Sequence, residues 1–125
     1  KEKEMANTFK VVTFAAEPNA AGTVYKFYTT ADSTTTVVLG LILTNIHTAQ
    51  VTATVRLVST TAKTGATGDA NNGTSILINA APIPVGSSLE VLTGSKVVLE
   101  TGDVLDVDCS VADMLSGTFS MMEIT

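Results

Sequence analysis

The stretch from Thr36 to Val58, TVVLGLILTNIHTAQVTATVRLV, constrains the fold more than any other part of the chain. It is dense in β-branched residues and repeats with a period of two, which favours strands over a helix of the same length. In the first arm Val37, Leu39, Leu41 and Leu43 fall on one face of a pleated strand, and Val38, Gly40, Ile42 and Thr44 on the other. Both faces are apolar. That pattern belongs to a strand at the centre of a sheet, covered on one face by a second layer and on the other by a loop or a neighbouring subunit. In the second arm Val51, Ala53, Val55 and Leu57 alternate with Thr52, Thr54, Arg56 and Val58, which describes one buried and one solvated face. The expected arrangement is a hairpin of two paired strands with His47 at or near its tip.

Other segments extend the pattern. FKVVTFA from Phe9 and TVYKFYTT from Thr23 read as strands, the second with Tyr25 and Phe27 on one face and Val24, Lys26 and Tyr28 on the other. Between Thr60 and Thr74 no large apolar residue occurs, and Gly65, Gly68, Asn71, Asn72 and Gly73 predict a surface loop or finger. Pro82 and Pro84 cannot donate to a ladder, so SILINAAPIPVGSSLEVL is expected to contain a corner or an edge crossing. KVVLE is a short strand. VLDVDCSVA then puts Leu105, Val107, Cys109 and Val111 inward and Asp106, Asp108 and Ser110 outward, and TFSMMEIT closes the chain. Eight or nine strands, frequent turns and essentially no helix predict a single antiparallel β-sandwich of jelly-roll type over residues 9–125, with residues 1–8 as an N-terminal arm. Its predicted core includes Leu39, Leu41, Val55, Leu105 and Val107.

A chain of 125 residues suffices for one core. Hydrophobic residues make up 45% and charged residues 15%, with a mean hydropathy of +0.35, yet no apolar run approaches the roughly 20 residues of a membrane helix. Surplus apolarity with few charges and many threonines points to contact with other protein, and so to self-association or assembly. The net charge of −5 and the scattered lysines and arginines argue against nucleic acid as a partner. Cys109 is the only cysteine, which fits a buried thiol and a reducing compartment. KEKEMANTF lacks the apolar region of a secretory signal, and Met5 resembles an initiator preceded by Lys1 to Glu4.

Candidate chemistry is sparse. His47 is the only histidine, so it makes neither a triad nor a metal set. Asp106 and Asp108 share one strand face near Asp103 and could hold a cation, but a solvated or interfacial face is the expected reading. Asp69, Asn71 and Asn72 offer oxygen ligands without the closing Glu of an EF-hand loop. The glycines between Gly65 and Gly73 open no helix and make no phosphate cradle. Tyr25, Phe27 and Tyr28 could stack on a sugar, but Trp, the best stacking residue, is absent, and packing explains them better. No catalytic residue, metal ligand or cofactor site is expected. Phe9, Phe14, Tyr25, Tyr28 and His47 are the candidate self-assembly contacts.

TTVVLGLILTNIHTAQVTATVRLV, then ILINAAPIPVGSSLEVL, KVVLETGDVLDVDCS and a terminal MMEIT together resemble small virion structural proteins of tailed bacteriophages, notably those of marine cyanophages. In that group a strand pair with TN at its turn, an APIPVGSSL corner, an LVLETGD strand and a closing EIT recur in this order, and the likeness runs from about Thr34 to Thr125. The resemblance implies a non-enzymatic virion protein assembled in the host cytoplasm, with copies of itself, major capsid protein or other virion proteins as partners. It points first to a capsid decoration (cement) protein. The alternative is a neck, tail, baseplate or fibre component, including a carbohydrate-binding module on a fibre. A trimer is the expected oligomer, with residues 1–9 reaching to a neighbour.

Overall fold

The computed structural model describes residues 6–63, 71–92 and 96–125. The strands are β1 (Asn7–Glu17), β2 (Tyr25–Thr29), β3 (Thr35–Asn45), β4 (Val51–Val58), β5 (Thr74–Ile83), β6 (Ser88–Glu90), β7 (Val97–Leu99), β8 (Val104–Cys109) and β9 (Leu115–Ile124). No helix occurs among the described residues. All pairings are antiparallel and form two sheets. Sheet I runs β1-β9-β3-β6, with β7 also paired to β3, and sheet II runs β2-β8-β4-β5. Because β6 pairs with Ile42 to Thr44 and β7 with Thr36 to Val38, the two act as one interrupted strand along the edge of β3. Eight strand positions in two four-stranded layers, with only β4 and β5 joined as sequence neighbours within one layer, make a jelly roll.

The layers enclose one core. Leu41, Leu43, Leu99, Leu115, Phe119 and Met121 of sheet I meet Val51, Ala53, Val55, Ile83, Leu105, Val107 and Cys109 of sheet II. Aromatic rings stitch the layers at one side: Phe119 lies 5.3 Å from Phe27 and 5.2 Å from Tyr28 between centroids, and Phe14 lies 5.2 Å from Tyr25. Gly117 pairs with Phe14, and the ring covers it so closely that a Cβ there would collide with ring carbons. A residue without a side chain is required at that position.

Three sequence expectations need correction. First, β3 and β4 are not a hairpin: β3 pairs with β9, β6 and β7, while β4 pairs with β5 and β8. The five residues between them lack the two-residue Asn-Gly or Asp-Gly turn that joins hydrogen-bonded neighbours, and five residues easily cross the roughly 10 Å between packed sheets. The arms therefore meet face to face across the core rather than edge to edge. Asn45 holds the crossing. Buried at its base, it donates from Nδ2 to the carbonyls of Ala49 (3.0 Å) and Ile83 (2.9 Å) and accepts the His47 N–H at Oδ1 (2.7 Å).

Second, Leu39 is not in the core. The register of β3 on β9 slips between Val38 and Gly40, so Thr36 and Val38 point inward before the slip and Leu41, Leu43 and Asn45 after it. Leu39 is the extra residue of this β-bulge and is 45% exposed, whereas the other expected core residues, Leu41, Val55, Leu105 and Val107, are fully buried. Third, a bulge between Lys26 and Tyr28 turns both Phe27 and Tyr28 into the core, although simple alternation places them on opposite faces.

The sandwich also begins earlier than expected. Asn7 and Thr8 belong to β1 and pair with Ile124 and Glu123. Residues 1–5 of the expected arm lie outside the described residues, as do Gly65, Gly68 and Asp69.

The bulge separates two leucines that neighbour each other in the pattern. Leu41→Ala is expected to cost about 2–5 kcal/mol, since it empties a site with no solvent access. Leu39→Ala should stay within about 0.5 kcal/mol, as an exposed position does. Urea denaturation of both variants measures the difference, and equal losses would contradict the phase switch.

Candidate assembly surface

A sandwich has two outer faces, and here they differ in kind. On sheet II, Lys26, Asp106, Arg56 and Ile76 lie in one row across β2, β8, β4 and β5. Arg56 takes both carboxylates of the next strand, with Nη1 3.3 Å from Asp106 Oδ1 and Nη2 2.6 Å from Asp108 Oδ2. Burial pushes the Asp106 carboxyl up, more than the hydrogen bond and charge of Arg56 pull it down. The two aspartates expected to face outward thus share a strand face and find their partner within the chain. Asp103 is separate. It lies buried in the β7–β8 turn, where its carboxylate accepts Ser59 Oγ–H (2.7 Å) and the Glu100 N–H (3.0 Å). Among the described residues no group of three His, Cys, Asp or Glu side chains could hold a metal ion.

The outer face of sheet I carries a different row: Phe9 of β1, Met122 of β9, Val37 of β3 and Val98 of β7 stand directly opposite one another. Residues directly opposite on antiparallel strands share a face, so four apolar side chains cross the whole sheet. Phe9 is 72% exposed and Val98 57%. Val11, Leu39 and Ile42, all exposed, continue the patch along β1 and β3. Around them come hydroxyls, with Thr13 opposite Thr118 and Val11 opposite Ser120. The one charged residue in the described strands on this face is Glu90, at the β6 edge opposite Ile42. Lys10, on the same edge strand as Phe9, points the other way and pairs with Glu123 at 2.7 Å.

Of the five expected contacts, only Phe9 stands openly on this surface. Phe14 and Tyr28 are corrected to core residues. Tyr25 is half-buried against Phe14, and His47 is half-buried in the β3–β4 crossing, which belongs to one end of the sandwich. Sequence reasoning missed Val11, Ile42, Val98 and Met122 as surface residues, and assigned Leu39 to the wrong side. A signal for them exists: β3 is apolar on both faces, and one two-layer sandwich covers only one of them.

An open cleft of about 670 Å³ between the edges of β5 and β7 is lined by Leu57, Ser59, Lys63, Asn72, Val98 and Asp103, among others. No described residue lining it is aromatic. At the edge of the core, Tyr28 donates to Glu123 Oε2 (2.6 Å), which leaves the Thr36 hydroxyl to donate to Tyr28 Oη (2.7 Å). With Lys10 on the other carboxylate oxygen, this chain of contacts ties β1, β2, β3 and β9 together. Burial, reinforced by the Glu123 carboxylate, pushes the Tyr28 phenol up to about 12. Hydrogen bonds from Lys10 and Tyr28 pull Glu123 down.

These shifts set opposite pH limits. The raised phenol contributes stability that is complete below its unfolded value of about 10 and is lost as pH rises through its folded value. The lowered Glu123 contributes stability above its unfolded value of about 4.3, lost as pH falls through its folded value. In a Tyr25→Phe background, ultraviolet titration of the remaining tyrosine is expected to show a midpoint near 12, and adding Glu123→Gln should move it down. A midpoint near 10 with Glu123 intact would break the network.

Comparison with protein-family models, with curated proteins and with solved structures finds no match to this chain.

Proposed function

We propose that this chain is a non-enzymatic structural subunit of a tailed-phage virion, which binds copies of itself and other particle proteins, and that its first place is as a capsid decoration (cement) protein on major capsid protein. The observation that carries this reading is the outer face of sheet I, which carries Glu90 at its edge and no other charge in its described strands, with Phe9, Val11, Leu39, Ile42 and Val98 exposed together. A contiguous apolar patch of this kind has a high cost in free solution and marks a surface that is covered in use. Resemblance of the strand and turn motifs to small virion proteins of tailed phages supplies the kind of particle. The jelly roll is compatible with that role, but it also serves lectins and cupins, so the fold alone does not choose among them.

The second reading, a neck, tail, baseplate or fibre component, shares the same surface and differs in location. Its carbohydrate-binding form is less favoured. Sugar recognition draws on exposed aromatic rings, whereas the aromatic residues of this chain other than Phe9 and Tyr25 are buried in the core. Catalysis has no place in the proposal, because Cys109 is buried at 0% exposure and His47 serves the β3–β4 crossing through its backbone N–H.

Co-sedimentation of purified chain with virion heads and with separated tails tests the reading. Binding to heads, weakened at least tenfold by Val98→Glu while far-UV circular dichroism stays unchanged, is the expected outcome. Binding to tails alone would select the second location. Binding to neither, with specific retention on a glycan array, would overturn the structural role.

A further inference from the structure

We infer that the outer face of sheet I docks onto the same face of a second copy of this chain, giving a two-fold dimer in which two sheets pack face to face. This deepens the proposed structural role by naming one partner and the surface it uses.

The charge distribution selects the partner. Each copy carries a net charge of −5, so two copies repel except where they meet through an uncharged surface. Sheet II is unsuited, because burying its outer face would strip the remaining water from Lys26, Arg56 and Asp108 together. Sheet I offers a centre without charge, and its charges stand at one rim: Glu90 on β6, and Lys96 and Glu100 immediately flanking β7. An apolar centre with a polar rim is the anatomy of a protein interface.

Size agrees. Four strands about 4.8 Å apart and about ten residues long make a face about 19 Å by 34 Å, on the order of 650 Å² before side chains corrugate it. A standard interface takes about 800 Å² from each partner. Stacked sheets align within about 30°. A two-fold axis running along the strands then lays the apolar row on itself, with Phe9 over the partner's Val98 and Met122 over the partner's Val37. The same operation carries Glu90 over the partner's Thr13, a hydroxyl in place of a like charge, since Thr13, Thr118, Ile42 and Glu90 form another row on this face, beyond that of Val11, Ser120 and Gly40. One patch meeting itself closes at two copies. The trimer expected from the sequence would need two different complementary patches.

Sedimentation equilibrium and disulfide trapping test this together. Wild type should be a dimer that Phe9→Glu or Val98→Glu converts to monomer with unchanged far-UV circular dichroism and a melting temperature that no longer rises with protein concentration, while Ile76→Glu on sheet II leaves it dimeric. Phe9→Cys combined with Val98→Cys should form a covalent dimer on oxidation. The two positions lie three strand spacings, about 14 Å, apart in one chain and cannot bridge within it, and Cys109 is buried. A wild-type monomer at high concentration, a trimer, or a dimer indifferent to charge on sheet I would overturn the inference. The same variants in particle co-sedimentation separate it from the role it rests on. Lost particle binding by Val98→Glu with a monomeric wild type removes the dimer and keeps the particle role. A dimer that binds no particle does the reverse.

Discussion

The extra residue in β3 governs how this chain presents itself. β3 is an inner strand of sheet I, bonded on one side to β9 and on the other to β6 and β7, so its phase dictates which side chains of three neighbours face the core. Without the bulge, a strand that buries Thr36 and Val38 would bury Gly40, Ile42 and Thr44 and turn Leu41 and Leu43 out. With it, Leu41 and Leu43 fill the core opposite Val51 and Val55, and Leu39 and Ile42 are left on the outer face. The core gains two large side chains. The outer face keeps Val37, Leu39 and Ile42, and these are the β3 side chains on which the proposed assembly role depends.

The crossing between β3 and β4 follows from the same placement. Once Leu43 and Val51 both point inward, their strands belong on opposite sides of the core, and the short connection becomes an arch. An arch leaves backbone groups that no ladder satisfies. Asn45 supplies two of the missing partners from a buried position, for the Ala49 carbonyl and the His47 N–H, and also donates to the Ile83 carbonyl at the end of β5. The backbone N–H groups of Asn45 and Ile46 reach the carbonyls of Ser87 and Met114 in neighbouring connections. Unmade hydrogen bonds at a buried site are costly, which is why one well-placed amide matters here.

Much of the architecture is legible in the sequence. Alternation in β8, with Leu105, Val107 and Cys109 on the core face and the two aspartates on the opposite face beside Arg56, survives because no bulge interrupts it. The strand count and sandwich class follow from turn spacing. Pairing is not legible, because it is non-local: β1 finds β9 across nearly the whole chain, and no local pattern encodes that choice. Bulges are half legible. Gly40 inside an apolar strand is a known sign of one, but the Phe27 bulge has no such sign. The assembly face could be anticipated from the two-sided apolarity of β3, yet its members on β1, β7 and β9 become neighbours only once the register is known. Phe14 and Tyr28 illustrate the opposite error, since aromatic character alone does not distinguish a core ring from an interface ring.

The central claim is that one outer face of this sandwich is covered in use and the other is wet. Carbene footprinting read by mass spectrometry, on assembled protein and on the Val98→Glu variant, addresses it directly. Labelling at Phe9, Val11, Ile42 and Met122 should fall on assembly, while labelling at Lys26, Arg56 and Ile76 stays constant. Equal labelling of both faces in the assembled state, or protection confined to sheet II, would contradict the account.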